Sequence, residues 1–311
     1  MDCLDQIDDA SGDESGRGGV DAAASKPQQR AIWIASYPKS GNTWVRVFLH
    51  NLLRELRGDS DGAQSINALH EMTGREALKP YFDRRLGKPA EQATAQEIAE
   101  ARFAVQADMT AGAGGPLFIK THNAVANVEG FPTINFDVTL AAVYLVRNPL
   151  DVAVSYSQFA GIPIDAIIAL MAEASGVGAG NAHRVYEFMG SWSFNVASWL
   201  SVPHRPVLIL RYEDMLQNPI RCFGRLASFL RLKPSEEQLL RAIEKSSFDA
   251  LARQEEQNGF IEKPPEAKKF FRAGRAGQWK DVLSQRQVDA IVAAHAPMMM
   301  RFGYVEESCG A

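Results

Sequence analysis

Residue types suited to chemistry gather at three points in this chain. At the first, Ser36-Tyr-Pro-Lys-Ser-Gly-Asn-Thr-Trp44 follows a short apolar run and leads into a second apolar segment, residues 45–53. A strand, a turn rich in Gly, Ser and Thr, and a helix in that order collect free backbone N–H groups and the positive end of a helix dipole at one place. An anion is expected there. Lys39 adds a cation, and Ser40 and Thr43 add hydroxyl donors beside the exposed amides of Gly41 and Asn42. The G-K-[ST] triplet of a Walker turn is absent, because Asn42 follows Gly41. Taken alone, the same stretch also reads as a plain turn made by Pro38 and Gly41, with Ser40 capping the helix. At the second point, Arg147-Asn-Pro-Leu-Asp-Val-Ala-Val-Ser155 sets Arg147 at a strand end and Ser155 two helical turns further on. A planar guanidinium donates two parallel hydrogen bonds to phosphate oxygens, so this pair could hold a second anion. The competing reading pairs Arg147 with Asp151. At the third point, Lys120-Thr-His122 ends another apolar run and delivers an ammonium and an imidazole to the same sheet edge. Histidine titrates near neutrality and is a usable base there, although a lone His at a strand end more often serves as a structural donor.

The elements that position these groups follow from hydrophobic patterning. Four apolar runs, residues 31–35, 117–120, 142–146 and 207–210, lack the alternation of a half-exposed strand. Segments with helical spacing lie between and after them, at 44–56, 96–109, 185–200 and 219–230. This pattern predicts an α/β fold: a three-layer parallel sheet flanked by helices, with the P-loop-like turn after its first strand. One domain is expected over residues 30–305, with 58–115 and 157–182 as insertions above the C-terminal edge of the sheet, where ligands bind. Residues 1–29, rich in Asp, Ser, Gly and Ala, are expected to be a disordered tail, and 306–311 a short C-terminal one.

Composition narrows the possible partners. The 33 Lys and Arg against 37 Asp and Glu give a net charge of -4, so no global positive field exists to hold nucleic acid or an anionic membrane. Any anion site must be local. With 46% hydrophobic residues in 311, the chain can bury a sizeable core. Cys3, Cys222 and Cys309 show no C-x-x-C spacing, which argues against a disulfide framework and a zinc site and fits a reducing compartment. No metal is expected. The most apolar stretch, 162–177, is broken by Asp165 and Glu173 and reads as a buried or amphipathic helix, short of the roughly 18 apolar residues that span a bilayer. With no secretory signal in the pattern, a cytoplasmic protein is expected.

Tyr37-Pro-Lys-Ser-Gly-Asn-Thr-Trp44 resembles the 5′-phosphosulfate loop of the sulfotransferases that use 3′-phosphoadenosine-5′-phosphosulfate (PAPS), with Asn42 where the family carries Thr. Residues 147–155 resemble the family's 3′-phosphate motif, including its eight-residue Arg-to-Ser separation. Phe271-Arg-Ala-Gly-Arg-Ala-Gly-Gln-Trp279 is similar to the family's R-x-G-x-x-G-x-W loop, and the likeness runs in order from about residue 31 to 304. The resemblance implies that Lys39, Ser40, Gly41, Asn42 and Thr43 hold the 5′ end, while Arg147, Ser155, Arg272 and the backbone of Gly274 hold the 3′-phosphate. It implies Trp44, Tyr212, Ser246 and Phe248 around the adenine, although without the family these aromatics read as core. It implies His122 as general base, Lys39 on the bridging oxygen between phosphate and sulfate, and Lys120 on the sulfuryl oxygens, with Ser155 restraining Lys39 until acceptor arrives. Asn195 stands where the family often has His.

On this reading PAPS is the cosubstrate, PAP is the product, and the acceptor is a small-molecule phenol, alcohol or sugar of the kind used by soluble bacterial sulfotransferases. Tyr81, Phe82, Phe159 and Met189 are candidates to line the acceptor pocket, though their apolar character fits core packing equally. Two other functions compete. A P-loop kinase or NTPase would need the missing G-K-[ST] and a Mg²⁺ carboxylate, and a non-catalytic PAP-binding regulator would show damage at His122 or Lys39. The pattern K-x-x-x-T-V-x-x-x-E before Arg272, which would mark a dimer, is absent, and oligomeric state stays open.

Overall fold

A computed structural model describes residues 30–59 and 61–306. The expected N-terminal tail, and all of the C-terminal tail but Glu306, lie outside the described residues. In chain order the strands are β1 (Ala31–Ser36), β2 (Thr73–Arg75), β3 (Leu117–Thr121), β4 (Asn127–Val128), β5 (Phe131–Pro132), β6 (Thr139–Val146), β7 (Val177–Gly178), β8 (Glu187–Phe188) and β9 (Val207–Arg211). The α-helices are α1 (Asn42–Arg57), α2 (Lys79–Leu86), α3 (Ala95–Ala111), α4 (Pro149–Ala160), α5 (Ile164–Ala172) and α6 (Trp192–Leu200). They continue with α7 (Tyr212–Gln217), α8 (Pro219–Phe229), α9 (Glu236–Lys245), α10 (Phe248–Asn258) and α11 (Gln285–Arg301).

Five strands form one parallel sheet in the order β2-β3-β1-β6-β9. β1 is central and buried along its whole length, and it feeds both faces of the core in alternation. Trp33 joins Tyr144, Trp192, Trp199 and Met299 on one side. Ile32 and Ile34 join Phe48, Leu145, Leu210 and Phe223 on the other. Two-sided burial of this kind is why the strands carry continuous apolar runs. On the second face α1 and α8 meet through Phe48 and Phe223, whose rings stack with centroids 4.1 Å apart.

The four expected strands are present, each extended by one to three residues. The fifth, β2, lies inside the segment read as an insertion, because Thr-Gly-Arg is too short and polar to carry a strand signal. Its register sets Arg75 beside Lys120 of β3. The same segment also has its own apolar cluster, in which Phe82, Ile98 and Val105 join α2 to α3. The helix expected over 185–200 begins only at Trp192: Gly190 takes a left-handed φ of 61°, and the Ser191 hydroxyl accepts from Phe194 N–H as the cap. The stretch ahead of it is β8 and a turn, and this brings Glu187 toward the sheet edge. Among the described residues no helix is long and apolar enough to cross a membrane.

Candidate functional site

The turns leaving β1, β3, β6 and β9 open on a cavity of about 1200 Å³. At the β1 turn, Lys39 and Gly41 have positive φ, 68° and 99°. Gly41 is the N-cap of α1 and no side chain caps the helix, so the plain-turn reading, with Ser40 as cap, is not what is seen. The Ser40 hydroxyl is buried without a hydrogen-bond partner, as is the Trp44 indole N–H. A Cβ on Gly41 would stand 2.9 Å from Cδ2 of Tyr212, so glycine lets the turn close on that ring. Asn42 turns its amide inward, Nδ2 donating to Ile34 O at 2.9 Å and to Ser36 Oγ at 3.4 Å, which ties α1 to the strand before it.

Arg147, at the end of β6, donates to the main-chain oxygens of Lys39 and Arg275, each at 3.1 Å, and its Nε has no partner. The guanidinium carbon lies 4.2 Å from the centre of the Tyr212 ring. Asp151 is not its partner. The Asp151 carboxylate instead accepts from Gly277 N–H at 2.7 Å and Trp279 N–H at 3.1 Å, which anchors the glycine-rich C-terminal loop over the start of α4. In that loop Arg272 donates to Gln278 Oε1, and burial together with Arg275 and Arg147 lowers its pKa. Gly274 has φ 57°, and a Cβ there would sit 2.3 Å from the Phe248 ring. Trp44 and Tyr212 meet edge to face at 5.8 Å. Thr43, Trp44, Ser155, Tyr212, Phe248, Arg272 and Gly274 all line the cavity. Ser246 does not: its hydroxyl donates back to Ala242 O and Ile243 O at the end of α9, and its neighbour Ser247 faces the cavity instead.

His122 sits between this half of the cavity and the rest. Its Nδ1 lies 2.8 Å from Ser36 O. A carbonyl only accepts, so Nδ1 carries the proton and Nε2 is the free lone pair of the neutral ring. The main chain is held as well: His122 N–H donates to Glu187 Oε1 at 2.8 Å, and His122 O accepts from Asn195 Nδ2 at 3.1 Å. Asn195 also donates to Met189 O and accepts from the Tyr144 hydroxyl, each at 2.8 Å. Burial and the neighbouring Lys120 push the His122 pKa down to about 3, so the ring is neutral in the open site. Burial also lowers Lys120 to about 8, against the pull of Glu187. For Lys39, burial and then Arg147 lower the ammonium to about 7. The Lys39 Nζ stands over two rings, 3.8 Å from the centre of Phe159 and 4.4 Å from that of Phe270, rather than on the Ser155 hydroxyl.

The far half of the cavity is built from charge. Glu262 accepts from both nitrogens of the Arg46 fork, at 2.7 and 3.0 Å. Arg75, Lys79, Arg184 and Glu187 also line this half. Burial opposes ionisation of Glu187, but Lys120, Arg184 and the His122 N–H hold its carboxyl well below the usual range. Of the apolar acceptor candidates, Phe159 and Met189 face the cavity. Phe82 is core, fully buried with the Arg102 guanidinium 5.3 Å from its ring, and Tyr81 packs in the same cluster. Sequence reasoning missed Arg75, Arg184, Glu187, Glu262 and Phe270. Only Phe270, beside the R-x-G loop, had a neighbouring signal. Among the described residues no group of three or more His, Cys, Asp and Glu could hold a metal ion.

Residues 29–303 match the family model described as Sulfotransferase domain. Sulfotransferase 1A1 of Canis lupus familiaris is 28% identical over 290 residues, covering 90% of this chain and 84% of that protein. Flavonol 3-sulfotransferase of Flaveria bidentis is 26% identical over 287 residues, covering 86% and 80%. Two solved structures share the fold. Retinol dehydratase in complex with androsterone and inactive cofactor PAP matches with a TM-score of 0.61 at 19% identity, over 92% of this chain and 84% of that one. Mouse sulfotransferase SULT7A1 complexed with PAP matches with a TM-score of 0.56 at 18% identity, over 88% and 87%.

Proposed function

The chain belongs to the sulfotransferase family, and from that premise we propose that it transfers the sulfuryl group of PAPS to the hydroxyl of a small-molecule acceptor, releasing PAP. The observation that carries this is the pair of adjacent turns that line one cavity, with Lys39, Gly41, Thr43 and Trp44 on one and Arg147 on the other, where Trp44 Nε1 and Arg147 Nε lack partners; Ser40, enclosed beneath the turn, does not line the cavity. Buried donors of this kind are costly unless a ligand satisfies them. Gly41 and Gly274, where a Cβ would strike Tyr212 and Phe248, let both turns close on the rings that would flank a planar base. These residues fit a nucleotide with phosphates at both ends. In the proposed assignment, Lys39 and the residues 40–43 hold the 5′ end, Arg147, Ser155, Arg272 and the Gly274 backbone hold the 3′-phosphate, and Trp44, Tyr212 and Phe248 flank the base. Ser246 supports the Ser247–Phe248 turn from behind.

PAPS supplies a sulfuryl group on a phosphate leaving group, so an S–O bond to the acceptor forms as the S–O bond to phosphate breaks. The protein's part is to place and charge-balance that exchange. Nε2 of His122 takes the acceptor proton, its direction fixed by the Nδ1 bond to Ser36 O. Burial and the adjacent Lys120 suppress protonation of the open site, and anions entering the cavity offset that effect and raise the ring's basicity. Lys39 neutralises charge on the bridging oxygen and Lys120 on the sulfuryl oxygens. A cytoplasmic setting and a diffusible acceptor complete the proposal. Calorimetry tests the binding half: PAP should bind at least about tenfold more tightly than ATP, and equal affinities would overturn the reading. Labelled PAPS with a panel of phenols, alcohols, glycans and glycopeptides tests the transfer.

A further inference from the structure

Beyond His122 the cavity presents two guanidinium groups whose bonding is incomplete. Arg75 ends β2 as the register partner of Lys120. Arg184 comes from the turn before β8. Each meets a carboxylate only at 3.8 Å, Arg75 with Glu262 and Arg184 with Glu187. Those carboxylates have their short bonds elsewhere, Glu262 on the Arg46 fork and Glu187 on the His122 N–H. Arg75 Nε is buried without a partner, and the two side chains are only 21% and 30% exposed. The cations Arg46, Arg75, Arg184 and Lys120 thus share two carboxylates, Glu262 and Glu187, and the short bonds of Glu262 go to Arg46. A partly desolvated guanidinium with open donors is stabilised most by a bidentate oxyanion.

We propose that Arg75 and Arg184 form a carboxylate subsite, so that the acceptor is a hydroxylated organic acid with its hydroxyl at His122 and its carboxylate on the two guanidinium groups. The proposal rests on the sulfotransferase reading and deepens it by naming the substrate class. It makes Arg75 and Arg184 specificity-determining residues rather than supports for the nearby lysine and histidine.

The test compares 4-hydroxyphenylacetate with its methyl ester, which share ring and hydroxyl but differ in charge. Both are assayed with PAPS as donor and, separately, for binding to the PAP-loaded protein by calorimetry. The wild type should favour the acid by at least about tenfold in kcat/KM and in affinity. Arg184→Gln, and separately Arg75→Gln, should each reduce that acid-to-ester ratio by about tenfold, through KM rather than kcat. PAP affinity is measured for every variant as the report that the fold is intact. An ester used as well as the acid, a ratio that survives both substitutions, or failure of both compounds to bind the PAP-loaded protein would overturn the subsite. Failure of the wild type to bind PAP would instead bring down the sulfotransferase reading beneath it.

Discussion

The two halves of the cavity are made differently. The half at the β1 and β6 turns works through backbone and geometry: positive φ at Lys39, Gly41 and Gly274, two glycines pressed against aromatic rings, and Arg147 bonded to two main-chain oxygens. The half at β2, the turn before β8 and Glu262 works through side-chain charge, with Arg46–Glu262 and Lys79–Glu91 as ion pairs. Backbone geometry admits few residue types at each position and therefore leaves a motif. Charge can be supplied from many positions and leaves none. This difference predicts that substitutions in the first half act on nucleotide affinity and those in the second on acceptor choice, while His122, held from both sides, acts on turnover.

The largest effect should come from His122→Ala. General base catalysis contributes about 10²–10⁴-fold, so kcat should fall by that range while PAP affinity stays within about threefold of wild type. Steady-state kinetics with calorimetry separates the two, and retention of more than about a tenth of kcat would remove His122 as base. Next in size is Arg147→Ala. Hydrogen bonds to charged groups are worth about 1.5–3 kcal/mol, so PAP affinity should weaken about 10- to 100-fold. If instead kcat falls with PAP affinity unchanged, the division between nucleotide and acceptor halves is wrong at its best-defined residue.

The same contrast explains what the sequence made legible. Strands buried on both faces have continuous apolar runs, so β1, β3, β6 and β9 were visible, as was the turn at the β1–α1 junction. β2 was not, because three residues with a glycine at the centre present no periodicity, and with it went Arg75. The helix expected from residue 185 was misplaced because apolar residues such as Val185 and Met189 serve other contacts before the Gly190 turn. Ser246 and Ser247 illustrate a finer limit: adjacent and identical in type, they differ only in which one ends the helix, and Ser246 spends its hydroxyl there. Glu187 and Arg184 gave no signal at all, since isolated charges in a polar turn read as solvated surface.

A smaller effect is expected at Gly274. Gly274→Ala must either strain a φ of 57° or push the loop off Phe248, whose ring would lie 2.3 Å from the new carbon. A left-handed alanine costs about 1–2 kcal/mol, and displacement of the loop would carry Arg272 with it. PAP affinity should therefore fall by about tenfold, while the acid-to-ester preference of the acceptor half is unchanged. Loss of that preference in Gly274→Ala would show the two halves to be coupled.

The smallest effect is a pH dependence that isolates Lys39. Burial and then Arg147 hold its ammonium near pH 7 in the open site, so the side chain loses its proton as pH rises through neutrality. A bound phosphosulfate or phosphate favours the charged form, so binding takes up a proton wherever the free lysine is neutral. The sign follows: PAP affinity should be nearly flat below pH 7, changing by less than about twofold from pH 6 to 7, and should weaken about fivefold from pH 7 to 8. Calorimetry in buffers of different ionisation enthalpy should show proton uptake growing over the same range. Lys39→Met keeps an unbranched side chain between Phe159 and Phe270 but removes the charge, so the difference between the two profiles cancels titration of the nucleotide itself. Identical profiles would show that Lys39 stays fully charged between its two rings, and the enclosure would then hold an ammonium without lowering its pKa.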